Sequence, residues 1–228
     1  MELLHHYGAE LGAVSLWKTS SLSAALVKGN LDCFTFLLSR SGDAVKQCDT
    51  KGYTPLHYAA SNISKANLQA LTELLAHGSP VNAKTVTGET AISLLAQVPG
   101  GRRVAQLRRK MGLALLAAGA DPAIANQAGF TPLMWSLKKS HFGLADVLLS
   151  AADATSLVAV QNNGNTALHH LMYQGQFDNI MPLFDKFIAR LQETGSGDEM
   201  IKAALETRAD SGMVRWVGAG HGPFIFRP

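Results

Sequence analysis

This sequence has few cysteines, few charged residues and no long apolar run. Its two cysteines, Cys33 and Cys48, give little support for a disulfide-stapled secreted module or a cysteine-based zinc site. No uninterrupted apolar stretch approaches the roughly 20 residues that a helix needs to cross a bilayer. The first residues also lack the basic and apolar regions of a secretory signal. These absences predict a soluble, intracellular protein of the cytoplasm, with the nucleus as the second location.

The charge balance of the chain is mild. Lysine and arginine total 20 and aspartate and glutamate total 17, which gives a formal net charge of +3. That charge does not by itself indicate nucleic-acid binding. A hydrophobic content of 47% argues against long disordered regions, and a charged content of only 16% means that much of the surface is neutral or apolar. The 228 residues are enough for one sizeable domain or two small ones.

A block built around Gly-x-Thr recurs along the chain. Its fullest form spans residues 49–60, where the sequence Thr-Pro-Leu-His is complete at 54–57. The glycines of the four copies, at 52, 88, 129 and 164, are separated by 36, 41 and 35 residues. A second signature, a Leu-Leu pair followed within four residues by glycine, ends three of the units at 37–42, 74–78 and 115–119. Two signatures that agree over several copies indicate a structural repeat.

These residues resemble the ankyrin repeat, whose period is about 33 residues. The resemblance implies an all-α solenoid of stacked helix-turn-helix units with protruding hairpin loops. We expect about five repeats over residues 15–192, the first of them a degenerate copy that begins near Ser20. Residues 1–14 would be the end of an N-terminal partial repeat. Residues 193–228 would form a C-terminal capping helix and a glycine-rich tail.

The residue types of the block suit the ends of short helices. Threonine before an apolar helical pattern can cap the first helix, and Pro55 and Pro132 then fall at the first helical position, where a missing N–H costs nothing. The glycine of each Gly-x-Thr supplies the positive φ of a turn. In the third unit, apolar residues at spacings of three and four predict that the second helix starts early, near Arg102. Pro182 should kink or begin the last helical stripe.

The positions that flank the structural motif are predicted to face a partner. In the resembled family, hairpin tips and first helices line a concave face that binds other proteins. Tyrosine and tryptophan concentrate at these positions here, and both are common at binding hot spots. We therefore predict a non-enzymatic scaffold or adaptor that binds a protein or peptide; the alternative is that the rings only pack against the next hairpin. The predicted partner-binding residues are Trp17, Lys51, Tyr53, Tyr58, Glu89, Phe130, Trp135, Lys138, His170 and Tyr173.

A cluster of basic residues offers a second hypothesis. Its members are Arg102, Arg103, Arg108, Arg109 and Lys110. The cluster could bind a phosphate group, an acidic partner or an anionic membrane, or it could be the solvated face of an amphipathic helix. Because the cluster lacks interleaved aromatic residues for stacking, we rank this role below protein binding. We expect neither nucleic acid nor a membrane as the main partner.

Catalytic and metal chemistry are not indicated by the sequence. It contains no Cys-x-x-Cys, His-Glu-x-x-His, phosphate-loop or Gly-x-Ser-x-Gly motif. The resemblance implies that His57 and His169 are structural and bond within and between hairpins. We expect no cofactor, no metal ion and no small-molecule substrate. A third hypothesis is that the chain is the ankyrin part of a larger enzyme whose catalytic domain lies outside these residues.

Overall fold

The chain folds into pairs of α-helices joined by hairpin loops. The computed structural model describes residues 14–173 and 177–193. Apart from one residue each, the predicted partial repeat at 1–14 and the predicted capping helix and tail at 193–228 lie outside these residues. The helices are α1 (Ser21–Lys28), α2 (Leu31–Arg40), α3 (Pro55–Ala60), α4 (Lys65–Ala76), α5 (Ala91–Gln97), α6 (Arg102–Ala117), α7 (Pro132–Lys138), α8 (Phe142–Ala151), α9 (Ala154–Leu157), α10 (Ala167–Met172) and α11 (Phe177–Glu193), with a 3-10 helix at Gly42–Lys46.

The helices form two layers. The short first helices of successive units, α1, α3, α5, α7 and α10, pack against one another in sequence order. The longer second helices, α2, α4, α6, α8 and α11, do the same, and each also packs against the first helix of its own unit. The short helix α9 packs against α11. In the described part of the chain, this arrangement is the all-α solenoid that the resemblance implies.

Apolar side chains from neighbouring units fill the space between the layers. Leu95 of α5, Leu115 of α6 and Leu148 of α8 are fully buried. Gly112 lets α6 approach α8 closely, because a Cβ at this position would overlap the side chain of Leu144. A single helix pair would leave one side of this core exposed to water, so each unit depends on its neighbours for stability.

The ends of the helices largely follow the sequence predictions. The Thr131 hydroxyl oxygen accepts a hydrogen bond from the N–H of Met134 at 3.3 Å, and proline occupies the first position of both α3 and α7. Helix α6 begins at Arg102, as predicted. Pro182 lies inside α11, which begins at Phe177, so of the two predicted alternatives, a kink at Pro182 or a helix that begins there, the second is wrong.

Consecutive hairpins approach each other at their glycine-containing turns. Gly52 has a φ of 79°, and a Cβ added to it would lie 3.0 Å from the Cα of Thr85 in the next hairpin. Beside it, the N–H of Val86 donates to the carbonyl of Lys51 at 2.9 Å. Gly129 has a φ of 80°, and a Cβ there would lie 2.8 Å from the backbone of the following hairpin. Glycine is therefore needed both for the turn and for the stacking of hairpins.

Candidate partner-binding surface

In the second unit, two tyrosines and an aspartate form a hydrogen-bonded cluster at the base of the hairpin. The ring centroids of Tyr53 and Tyr58 lie 5.5 Å apart, with the rings tilted by 41°. The Tyr58 hydroxyl donates to Oδ2 of Asp49 at 2.6 Å. The other oxygen, Oδ1, accepts from the backbone N–H groups of Lys51 and Tyr53 at 2.8 and 2.9 Å. One carboxylate thus shapes the turn and fixes the orientation of the Tyr58 ring.

This cluster forms one wall of a pocket between the first two hairpins. The pocket has a volume of about 420 Å³ and is lined by Trp17 and Thr19 from the first hairpin and by residues 49–51, Tyr53 and Tyr58 from the second unit. Trp17 is 69% exposed, and its carbonyl accepts a backbone hydrogen bond from the second hairpin at 3.0 Å. Open, aromatic-lined pockets with a few oriented polar groups are typical of recognition sites.

Nearby carboxylates influence both phenols of the pocket. Burial and the Asp49 carboxylate raise the pKa of Tyr58 to about 12. Burial, followed by the charges of Glu89 and Asp49, also raises the pKa of Tyr53. Both phenols therefore stay protonated at neutral pH. Among the described residues, no lysine, arginine or histidine forms an ion pair with Asp49, so the pocket combines neutral rings with a carboxylate that has no ion-pair partner.

The fourth unit carries an aromatic pair in the equivalent positions. Phe130 precedes the capping threonine, and its ring stacks on that of Trp135, with centroids 4.2 Å apart and an interplanar angle of 19°. Nζ of Lys138 lies 4.6 Å from the Phe130 centroid and 5.1 Å from the Trp135 centroid. A cation from the same unit thus covers this aromatic pair. Both rings are half-buried against the core, so packing is part of their role.

Two residues that were expected to face a partner lie inside the stack instead. Glu89 is 7% exposed, and its carboxylate accepts from the Asn126 side chain at 2.6 Å and from the hydroxyl of Ser93. His170 is 6% exposed and contacts the side-chain amide of Gln161. The expectation that these two side chains face outward is wrong, because each is covered by contacts within its own unit or with the neighbouring hairpin.

All but one of the remaining predicted residues form two separate clusters. Trp17, Tyr53, Tyr58 and Lys51 surround the pocket at the first two hairpins, whereas Phe130, Trp135 and Lys138 lie together in the fourth unit. In the third unit, between them, the equivalent positions hold buried Glu89 and Leu94. Tyr173 lies at the C-terminal end of α10 and is 49% exposed. The aromatic positions are therefore not a continuous row.

His57 connects the second unit to the third, as the resemblance implies. Its Nδ1 accepts from the N–H of Thr54 at 3.0 Å. Its Nε2 lies 3.1 Å from the carbonyl oxygen of Ala83 and 3.2 Å from that of Glu89. These partners require the neutral ring with the proton on Nε2. Burial lowers the pKa of His57, which favours this same neutral form and supports a structural role.

The basic residues of α6 do not form one charged face. Arg108 is only 2% exposed, and its Nη2 donates at 2.8 Å to the carbonyl of Val98, directly after α5. The expectation that Arg108 contributes to an anion-binding surface is therefore wrong, because its charge is directed at the C-terminal end of α5. Nη2 of Arg109 lies 3.6 Å from the carboxylate of Asp146, which also pairs with Lys186. The exposed remainder is Arg102, Arg103 and Lys110.

The pocket also contains residues that the sequence reasoning missed, above all Asp49. A signal for it is present in the sequence, because an Asx residue stands five positions before the threonine in two copies of the block: Asp49 before Thr54 and Asn126 before Thr131. Oδ1 of Asn126 accepts from the N–H groups of Ala128 and Phe130 at 3.0 and 2.9 Å, as Asp49 does in its own turn. Only one of these two equivalent positions carries a charge.

Comparison with known proteins identifies the same repeat that the helix pairs indicate. The family model for ankyrin repeats, in three copies, matches residues 1–98 and 104–192. A search of the curated proteins finds no match.

Over the residues that the structure describes, no group of three histidine, cysteine, aspartate or glutamate side chains is placed to hold a metal ion. No helix in that part of the chain is long and apolar enough to cross a membrane.

Proposed function

The chain belongs to the ankyrin repeat family, and we propose that it is a non-enzymatic scaffold or adaptor that binds a partner protein or peptide on the face formed by its hairpins and first helices. Ankyrin repeats generally mediate protein–protein interactions. The observation that carries the proposal for this face is the open pocket between the first two hairpins, where Trp17, Tyr53 and Tyr58 lie together.

The surface around the pocket is pre-formed. The first two hairpins are joined by the hydrogen bond to the Trp17 carbonyl, and the Tyr58 ring is held by Asp49 at 2.6 Å. A partner that binds here orders few protein side chains, so little of its binding free energy is lost to conformational entropy. Lys138 and the Phe130–Trp135 pair form a second contact region in the fourth unit.

Docking of an acidic partner, a phosphate group or an anionic membrane through α6 is the second candidate. The exposure of Arg102, Arg103 and Lys110 favours it, whereas the burial of Arg108 and the pairing of Arg109 with Asp146 weaken it. Salt separates the two modes. Binding at the aromatic clusters, which involves few charged contacts, weakens little between low and moderate salt, whereas docking through several basic residues of α6 weakens steeply.

A peptide selected from a displayed random library against the full chain is the direct probe of the proposed face. We expect Trp17→Ser to weaken its binding at least about tenfold, as for a hot-spot aromatic residue. Leu113→Ser is the matched control, because Leu113 is an exposed apolar residue of α6, in the other helix layer, at 45% exposure. Equal affinities of the two variants and the wild type would contradict the proposed face.

A double variant, Tyr58→Ala with Trp135→Ala, tests whether the aromatic residues contact the partner. We expect capture of a selected ligand to be lost. Because both rings also pack against the core, the melting temperature must be measured alongside. Loss of capture by a folded variant supports the proposal, and unchanged capture removes these residues from the binding surface.

We also propose an intracellular location, cytoplasmic or nuclear. Cys33 and Cys48 are both free thiols, which is the expected state in a reducing compartment. A fluorescent fusion in the native cell tests this. The hypothesis of a larger enzyme is tested by the length of the open reading frame, since a catalytic domain would have to be encoded beyond these residues.

A further inference from the structure

The two aromatic pairs, Tyr53–Tyr58 and Phe130–Trp135, occupy the same positions in their units, but among the described residues only the second has a cation from its own unit over its rings. Tyr53 and Phe130 each precede the capping threonine, and Tyr58 and Trp135 each lie four residues after it. In the fourth unit Lys138 supplies a cation over both rings. The equivalent position of the second unit holds Ser61 in its place, and the Ser61 hydroxyl donates to the carbonyl of His57 at 2.7 Å.

The tyrosine pair therefore lacks the internal cation that its counterpart has. Within residues 14–173 and 177–193, no lysine or arginine lies over the ring of Tyr53 or Tyr58. Both tyrosines line the pocket of about 420 Å³ next to Trp17. This volume is within the range of small-molecule sites, so it accommodates one long side chain and part of its backbone.

A carboxylate takes part in this pocket where the fourth unit has an amide. Asp49 and Asn126 make the same two hydrogen bonds to backbone N–H groups of their turns, so the turn itself does not require a negative charge. Asp49 forms no ion pair within the described residues. Its charge is thus available to a ligand, and it lines the same pocket as three aromatic rings, which attract cations.

We propose that this pocket binds a cationic side chain, that of an arginine, presented by a basic segment of the partner. The inference rests on the proposed function and gives the chemistry of the partner at its first contact region. Arginine is favoured over lysine because its planar guanidinium can stack on a tyrosine or tryptophan ring and donate to a carboxylate at the same time. The Lys138 contact is the chain's own example of a cation on an equivalent aromatic pair.

Lys51 opposes such a ligand. Its exposed side chain belongs to the lining of the pocket and carries the same charge as the arginine. It forms no ion pair with Asp49. Removing the Lys51 charge is therefore expected to strengthen binding of a cation, whereas a site that recognises shape alone would not respond.

The test is a titration of the full chain with N-acetyl-arginine N-methylamide, followed by NMR of the Trp17 indole N–H. We expect saturable shifts with a Kd on the order of millimolar to tens of millimolar for so small a probe. The citrulline analogue keeps the shape of arginine without its charge, and we expect no saturable shift from it. The lysine analogue should bind more weakly than arginine. Equal responses to arginine and citrulline would overturn the proposal.

Variants assign the effect to the carboxylate. Asp49→Asn should raise the Kd for arginine at least about fivefold, as for loss of a charge-assisted contact. Asn126 shows that asparagine is compatible with this turn. Asp121→Asn is the matched control, because Asp121 is exposed and accepts from the N–H of Ala123 in another hairpin at 2.8 Å. An unchanged Kd for Asp49→Asn, or equal effects of both substitutions, would contradict the proposal.

Lys51→Gln gives a readout that does not depend on the folding of the Asp49 variant. Because it removes a like charge from an exposed position, we expect the arginine Kd to fall about twofold. An unchanged or higher Kd would count against a cation site.

Failure of this inference differs from failure of the proposed function. If selected peptides bind the face formed by the hairpins and first helices, and Asp49→Asn leaves their affinity unchanged, the proposed cation site is wrong but the proposed function is retained. If the arginine probe binds through Asp49 while selected peptides contact only α6, the proposed binding face is wrong but the proposed arginine site is retained.

Discussion

His57 of the second unit bonds through Nε2 to the carbonyl oxygen of Glu89 in the third unit at 3.2 Å. Its Nδ1 also accepts a hydrogen bond from the backbone N–H of Thr54, the residue that caps the start of α3. A single buried imidazole thus joins the cap of α3 to the next hairpin. Neighbouring units therefore share hydrogen bonds as well as apolar contacts.

Removal of this ring should destabilise the stack. We expect His57→Ala to lower the free energy of unfolding by about 2–4 kcal/mol, because it leaves buried backbone groups unpaired and creates a cavity. Urea denaturation followed by circular dichroism measures the change. His77→Ala is the control, since His77 is exposed and bonds only to Glu73 in its own helix. Similar losses for the two variants would contradict a linking role for His57.

Close approach of the hairpins can be separated from the cost of positive φ. Gly52→Ala and Gly78→Ala both place alanine at a φ above 70°, which costs roughly 1–2 kcal/mol. Only at Gly52 would the new Cβ meet neighbouring backbone, at 3.0 Å from Thr85; nothing lies within 4 Å at Gly78. We expect Gly52→Ala to lower the free energy of unfolding, measured by urea denaturation, by at least about 1 kcal/mol more than Gly78→Ala does. Equal losses would show that the hairpins do not constrain each other at this point.

Burial of Arg108 leads to opposite expectations for two substitutions. Arg108→Met retains an apolar side chain of similar length, and we expect the stability to stay within about 1 kcal/mol, because the lost bond to Val98 is offset by the desolvation cost of the charge. Arg108→Ala should lose about 2–4 kcal/mol through the cavity it leaves. Denaturation midpoints of the two variants check this. An equal loss for methionine would mean that the guanidinium, and not packing, stabilises this junction.

Stability should also decrease in mild acid. Burial, aided by the charge of Arg108, lowers the pKa of His141 to about 4, and burial, with the charges of Lys138 and His169, lowers that of His170 to about 4. Their pKa values in the unfolded chain are about 6.5, so only the unfolded chain gains protons between these values. The free energy of unfolding is therefore unaffected by protonation of these two histidines above about pH 6.5. It decreases progressively as the pH falls from 6.5 toward 4.

A conservative variant checks the assignment to His141. Its Nδ1 lies 3.0 Å from the carbonyl oxygen of Ala96, and asparagine can offer a similar donor without titrating. We expect His141→Asn to show a shallower fall in the free energy of unfolding between pH 6.5 and 4 than the wild type. An identical pH dependence would exclude His141 as a source of the effect.

The sequence predicted the repeat and its local geometry because these depend on neighbouring residues. Threonine caps, prolines at first helical positions and the early start of α6 at Arg102 follow from rules of helix ends. The burial of Glu89, His170 and Arg108 did not follow, because it arises from contacts with other parts of the stack. Arg108, for example, reaches back ten residues to the end of α5, and a charge pattern alone gives no sign of this contact.

The same reason explains why the sequence predicts some residues of the pocket but not the pocket itself. Trp17, Tyr53 and Tyr58 were identified from their residue types and their places in the repeat. That they meet in one pocket depends on how the first hairpin stacks on the second. The contribution of Asp49 depends on the hydroxyl of Tyr58, nine residues further along the chain.

Hydrogen–deuterium exchange of the full chain, with and without a selected peptide, shows which face the peptide covers. We expect protection of the segments 17–19, 49–58 and 130–138, with α4 and α6 unchanged. Protection confined to α6, around Arg102 to Lys110, would contradict the proposed binding face and would favour docking through the basic helix.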